Sequence, residues 1–155
     1  MENHYLSIQF KKAQPNDSKL LSKTTFESKK MWNYTDDQMN LWIEELTITE
    51  AYIEENIVFK IFDNDKYIGF FSLVAKEEFI EIDHFWLLPK NTRKGYGGKT
   101  FNFIKKMAKE LDYDILEVYA EPNANKFYEK IGGKKIRSKE SKIKGRFLDV
   151  YEIKI

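Results

Sequence analysis

The feature that most constrains this chain is a glycine-rich turn at residues 91–100, N-T-R-K-G-Y-G-G-K-T, set between an apolar run (79–89) and an amphipathic stretch (101–111). Gly95, Gly97 and Gly98 fill three of four consecutive positions. A strand that enters such a turn and leaves as a helix brings backbone close to a ligand. The first free N–H groups of the helix favour an anion there, through hydrogen bonding and the helix dipole. A phosphate compound is the guest expected.

The rest of the chain reads around that turn. Residues 5–12 alternate apolar and polar as a first strand, and Gln14-Pro15-Asn16-Asp17 opens a helix running towards Met31. Thr35 with Gln38 is a capping box for a second helix with Met39, Trp42, Ile43 and Leu46 on its apolar face. Thr47 with Glu50 repeats the signal for a third. Strands are then expected at 57–62, 67–75 and 79–88, the last central because it is apolar on both sides. After the glycine turn come a helix, a strand at 115–120 parallel to the central one, a short helix ended by Gly132-Gly133, and a closing strand pair at 134–137 and 147–155. The order predicts an α/β layer with a mixed sheet, all in one domain spanning residues 1–155.

Composition narrows the function. Lys plus Arg number 26 against 25 Asp plus Glu, so no bulk field recruits nucleic acid or a membrane surface. The absence of cysteine removes disulfides, thiolate zinc sites and a cysteine nucleophile, and no metal site is expected. The amino terminus lacks the pattern of a signal peptide, and the longest apolar stretch is too short to span a bilayer. A cytoplasmic protein, monomeric or homodimeric, is the expectation.

Two phosphate motifs fail at the turn. Gly98-Lys99-Thr100 matches the end of a nucleotide-binding P-loop, but Arg93 stands where its first glycine belongs. A dinucleotide fingerprint starting at Gly95 and Gly97 would need a glycine at position 100, which is Thr100. The segment from Phe79 to Ile136 instead resembles the GCN5-related N-acetyltransferases. Their pyrophosphate loop reads [QR]-x-x-G-x-[GA], and K-G-Y-G-G supplies both small positions, with Thr92 at the first position and Arg93 one residue late. A strand ending E-V-Y-A and the following P-N-A-N-K-F-Y-E-K-I-G-G resemble the family's next strand and its F-Y-x-x-x-G helix.

The resemblance implies a mixed central sheet of about six or seven strands with helices on both faces, splayed between the fourth and fifth strands. It implies acetyl-CoA as cosubstrate and an unidentified amine, small molecule or protein, as acceptor. Arg93, Lys94, Gly95, Tyr96, Gly97, Gly98 and Lys99 would then hold the cofactor's phosphates. Phe85 and Leu87 would pair with the pantetheine amides, and Asn123 resembles the family's pantetheine-binding asparagine. Tyr128 occupies the place of the tyrosine beside the coenzyme A sulfur. A phenol near ~10 is protonated at neutral pH, so Tyr128 is the expected proton donor to the thiolate leaving group.

Glu81 and Asp83 are the candidate bases, placed on one strand face by their spacing of two. Glu81 stands fourteen residues before Gly95, the separation seen in histone-type members, while Asp83 is one step nearer the cofactor. His84 points the other way unless a bulge intervenes. Trp32 and Tyr34 could line an acceptor pocket, and the basic run at Lys139, Lys142, Lys144 and Arg146 reads as a solvated loop. The function expected is acetyl transfer by direct attack in a ternary complex. The alternative is a catalytically silent module that binds coenzyme A, and a nucleotide hydrolase ranks behind both.

Overall fold

The computed structural model describes residues 7–155. Tyr5 and Leu6, expected at the start of the first strand, lie outside them. A seven-stranded sheet runs in the order β1-β2-β3-β4-β5-β7-β6. Its strands are β1 (Ile8–Lys12), β2 (Ile57–Asp63), β3 (Lys66–Ala75), β4 (Ile80–Leu87), β5 (Ile115–Ala120), β6 (Lys134–Glu140) and β7 (Phe147–Lys154). Every neighbouring pair is antiparallel except β4 and β5.

Four helices lie between β1 and β2 in sequence: α1 (Ser18–Lys30), α2 (Asp36–Leu41), α3 (Ile43–Leu46) and α4 (Glu50–Glu55). The capping box at Thr35 and Gln38 forms in both directions, at 3.1 and 3.0 Å. The helix expected to run on through Leu46 breaks at Trp42, whose φ of −106° and ψ of 4° leave the helical region. That break lets the buried indole and Met39 share one small apolar cluster with Leu46. The following cap is Thr49, which accepts from the Tyr52 N–H at 3.0 Å, and not Thr47, whose hydroxyl closes α3 instead.

Helices α5 (Tyr96–Glu110) and α6 (Asn125–Lys130) precede β5 and β6. One sheet face buries Phe71, Leu73, Ile80 and Ile82 against Phe101, Ile104 and Ala108 of α5 and Tyr128 of α6. The opposite face packs Val58 and Phe70 against Leu21, Ile48 and Ile53. Burial of such side chains stabilises each by about 1.5–3 kcal/mol, so both helical layers are held firmly to the strands between them. No helix among the described residues is long and apolar enough to cross a membrane.

Two irregularities in the sheet shape the site. The parallel pairing of β4 with β5 covers only Ile80–Ile82 against Leu116–Val118, so the strands part beyond that point. On the other edge of β4 the register with β3 slips, with Leu73 opposite Ile82 and Ser72 opposite His84. Asp83 is therefore the extra residue of a β-bulge. A bulge resets the alternation of side chains along a strand.

Candidate active site

The glycine turn delivers what its sequence promises locally. Gly95 caps α5 with a φ of 86°, a left-handed conformation that glycine takes without steric cost, and Arg93 beside it has a φ of 61°. No side chain caps this helix, unlike α2 and α4. Its first N–H groups are thus left for an outside acceptor. A Cβ at Gly98 would meet nothing within 4 Å, whereas one at Gly97 would sit 3.0 Å from the Phe127 ring. Gly98 leaves room for a ligand, and Gly97 lets α5 pack on α6.

Next to the turn, the parting strands expose backbone. The Leu88 N–H bonds to Ile68 of β3 at 2.8 Å, and the Trp86 carbonyl lies against Gly69 on the same side. Alternation then turns the backbone groups of Phe85 and Leu87 away from β3, into the gap before β5. The Leu87 carbonyl there accepts from the Ser28 hydroxyl at 2.9 Å.

Two cavities flank this gap. The first, about 680 Å³, runs from Arg93 and Gly98 past Phe85 and Leu87 to Phe127 and Tyr128. The second, about 880 Å³, is lined by Tyr52, Glu81, Asp83, His84 and Arg146 among others. Trp86 and Glu121 line both. They form the wall where a ligand in one cavity can meet a ligand in the other.

Tyr128 is 5% exposed, with its ring stacked on Tyr151 at 6.1 Å. Its hydroxyl makes no hydrogen bond to another described side chain, and burial pushes its pKa well above the usual phenol value. The phenol therefore stays protonated across the working pH range, and Tyr128 is part of the lining of the first cavity.

The second cavity holds the carboxylates. Asp83 Oδ2 accepts from the Tyr52 hydroxyl at 2.5 Å, and Tyr52 also bonds Ser72 at 2.7 Å. Burial, then the Asp83 charge, raises the Tyr52 pKa, so it remains a donor. Burial and then Asp83 also raise the Glu81 pKa, and Lys76 at 3.8 Å opposes them. Because of the bulge, His84 joins this face, with Nε2 at 3.9 Å from Asp83 Oδ2. Burial lowers the His84 pKa, keeping the imidazole neutral.

A third group closes the shared wall. Glu121 accepts from Lys29 at 3.2 Å, Tyr34 at 2.5 Å, Asn123 at 2.9 Å and Arg146 at 3.3 Å. Burial alone would raise the Glu121 pKa, but Lys29, Tyr34 and Arg146 outweigh it and hold the carboxyl below its ordinary range. Lys29 also stands 3.8 Å over the Trp42 ring, a cation–π contact that anchors α1 against the α2–α3 break.

A family model of the acetyltransferase (GNAT) domain matches residues 30–149. The chain belongs to the GNAT acetyltransferases. Among solved structures, the PaiA N-acetyltransferase of Thermoplasma acidophilum in complex with coenzyme A is similar at a TM-score of 0.81 and 21% identity, covering 97% of this chain and 100% of that one. A GCN5-related N-acetyltransferase from Rhodopseudomonas palustris gives a TM-score of 0.77 at 17% identity, covering 100% and 99%. A GNAT family acetyltransferase of Elizabethkingia anophelis with acetyl-CoA bound gives 0.63 at 15%, covering 96% and 99%. No curated protein matches the sequence.

Within this GNAT domain, the residues expected to serve the cofactor divide into three groups. Phe85, Leu87, Arg93, Gly95, Gly97, Gly98 and Asn123 line the first cavity. Lys94 and Lys99 are exposed beside it. Tyr96 turns its side chain into the core, where its hydroxyl donates to Asp63 at 2.5 Å, so only its backbone remains at the turn. The amide of Asn123 is committed to Glu121. Of the two aromatics expected at an acceptor pocket, Trp32 lines the first cavity and Tyr34 braces the shared wall.

Arg146 corrects the reading of its loop as solvated, since its side chain is 17% exposed and tied to Glu121. Sequence reasoning missed Lys29, Tyr52 and Glu121. For Glu121 a signal existed, a carboxylate directly before Pro122 at the end of the parting strand.

Proposed function

We propose that this GNAT domain moves an acetyl group from acetyl-CoA to a primary amine by direct attack within a ternary complex. One observation carries the reading. A groove with an uncapped helix terminus at one end and Tyr128 in its lining, and a cavity with two carboxylates, meet at a wall of Trp86 and Glu121. The groove suits the cofactor on structural grounds: Gly98 leaves open space at the helix terminus, and the edge of β4 offers the unpaired Phe85 backbone.

When bound, acetyl-CoA supplies a thioester carbonyl carbon to the amine and a thiol as leaving group. The free N–H groups of α5 fix its phosphates, and the β4 edge orients the pantetheine arm in the manner of an added strand. On the other side, Asp83 or Glu81 takes the proton of the arriving ammonium. Over the full reaction the amine gives up two protons as the C–N bond forms. The sulfur gains one as the C–S bond breaks, and the other leaves through the second cavity. Tyr128 donates its hydrogen bond to the departing sulfur.

A transferase needs both cavities, whereas a silent coenzyme A module needs only the first. The second cavity and its carboxylates therefore favour the enzyme. The hydrolase reading loses ground, because Lys99, which a nucleotide loop would direct at the phosphates, is exposed and off the groove. Calorimetric titration with acetyl-CoA and with ATP tests the cofactor. Thiol release from acetyl-CoA in the presence of an amine panel tests the transfer. Binding of acetyl-CoA without amine-dependent thiol release would leave the silent module.

A further inference from the structure

Charges at the shared wall do not balance. Lys29 and Arg146 both close on Glu121, and the three side chains are only 11, 17 and 14% exposed. Two cations thus share one carboxylate, whose oxygens are already taken up by Lys29, Tyr34, Asn123 and Arg146. Arg146 Nη1 is buried and has no hydrogen-bond partner among the described residues. An arginine keeps its proton at any working pH, and a charged donor left unpaired in the interior is costly. What satisfies a guanidinium best is a carboxylate or phosphate oxygen.

The position of this group decides whose anion it would meet. Arg146 lines the second cavity and not the first, so the partner belongs to the acceptor rather than to coenzyme A. The same cavity carries Asp83 and Glu81 on the β4 face, suited to an ammonium. Elsewhere in the lining Lys142 pairs with Glu45 at 2.9 Å and Glu140 accepts the Gly145 N–H at 3.1 Å, so the surplus positive charge is confined to the shared wall. One cavity therefore presents a surplus cation and a pair of carboxylates at separate places.

We infer that the acceptor is an amino acid, a small molecule bearing a carboxylate close to its reacting amine, with Arg146 as the residue that receives the carboxylate. Lys29, which donates to the same Oε2 of Glu121 as Arg146, adds positive charge beside it. The inference rests on the transferase reading proposed above and names its substrate class. A plain amine would leave Arg146 Nη1 as it is, and a polyamine would also bring a second cation to the wall. The positive group thus selects by repulsion as well as attraction.

The test uses matched acceptors: lysine, phenylalanine and leucine, each beside the amine that lacks its carboxylate. With acetyl-CoA and the full chain, kcat/KM for the preferred amino acid should exceed that of its decarboxylated partner by at least ~10-fold, the size of a single well-placed charged contact. Arg146→Gln should reduce that ratio to within ~3-fold, chiefly through KM, and Arg146→Lys should retain part of it. A thermal melt shows whether each variant folds. If Arg146→Gln does not, the Arg146→Lys ratio and binding of the amino acids to the coenzyme A-loaded wild type by calorimetry decide the matter.

A decarboxylated amine that reacts better than its amino acid would overturn the assignment. So would equal losses for both members of a pair in the Arg146 variants, or acetyl-CoA binding with no amino acid bound or acetylated. If amino acids bind the loaded protein through Arg146 but none is acetylated, the carboxylate site stands and the transferase reading falls.

Discussion

The Trp86 indole donates to His84 Nδ1 at 2.9 Å. An indole N–H has no acceptor capacity, so Nδ1 must be the unprotonated nitrogen and the neutral ring carries its proton on Nε2, facing Asp83. The lone pair that could take a substrate proton is already engaged. His84 shares the face of the two carboxylates yet is poorly placed to be their rival as base.

A pH dependence of stability follows from that arrangement. The folded His84 pKa is held below the ordinary 6.5 by burial. Below that value the unfolded chain takes up a proton that the folded ring refuses, so folding stability is full above it and declines as pH falls from there towards the folded value. Urea denaturation at steps between about pH 7 and 5 should show a decline in the wild type that His84→Gln flattens. If acetyl transfer is retained in that variant to within ~10-fold, His84 is excluded as the base, since loss of a general base costs about 10²–10⁴.

Tyr52 should act on the rate through Asp83. Its hydroxyl holds Oδ2 at 2.5 Å from across the helical layer, and Tyr52→Phe removes that donor while keeping the ring. If Asp83 is the base, Asp83→Asn should lower kcat by about 10²–10⁴ with coenzyme A affinity unchanged. Tyr52→Phe should give a smaller loss, because the carboxylate stays in place but is no longer held by the phenol. Should Asp83→Asn be active and Glu81→Gln not, the proton goes to Glu81, whose raised pKa predicts an acidic limb above the ordinary glutamate value of ~4.3. A double variant with intact turnover would leave the proton to water.

How much of this was legible in the sequence depends on how far apart the partners lie. The glycine turn, the strand before it and the helix after it are neighbours in the chain, and local rules found them. The break at Trp42 was hidden because its cause is tertiary: the indole is drawn into a cluster with Tyr34 at 4.9 Å and beneath Lys29. The bulge at Asp83 is a mismatch between two strands and leaves no mark in one of them. The wall around Glu121 joins residues 92 positions away at Lys29 and 25 away at Arg146. Arg146 looked like one more cation in a basic loop because nothing in its own segment says that Glu121 comes to meet it.

The two glycines of the turn can be told apart by substitution. Gly98 faces open space, so Gly98→Val should fold and yet crowd the place where the phosphates approach the first turn of α5. Coenzyme A affinity should fall by at least ~10-fold, or ~1.4 kcal/mol. Gly97→Val should chiefly destabilise the protein, because its Cβ would press on the Phe127 ring, and crowding in a packed layer costs about 1–3 kcal/mol. Calorimetry and a thermal melt on both variants read the two effects separately. Unchanged affinity in folded Gly98→Val would remove the phosphate role from this turn.

Tyr128→Phe separates packing from chemistry most cleanly. The ring keeps its stacking on Tyr151, and the hydroxyl bonds to no other described side chain, so its removal orphans no donor or acceptor. The melting temperature should therefore hold, because no hydrogen bond is lost and no buried partner is left unsatisfied. Because burial holds the phenol above its usual ~10 while a thiol lies near ~8.5, complete proton transfer to the sulfur is uphill. The hydroxyl works as a hydrogen-bond donor while the C–S bond is breaking. That interaction is stronger in the transition state than before it, so kcat and kcat/KM should fall together with acetyl-CoA affinity unchanged. The expected loss is about 10²–10³, the size found on removing one donor to a developing anion. No alkaline limb from Tyr128 belongs in the working range, so the pH profiles of wild type and variant should run parallel. A variant with wild-type turnover would reduce Tyr128 to a packing residue and move the donor for the sulfur elsewhere in the groove.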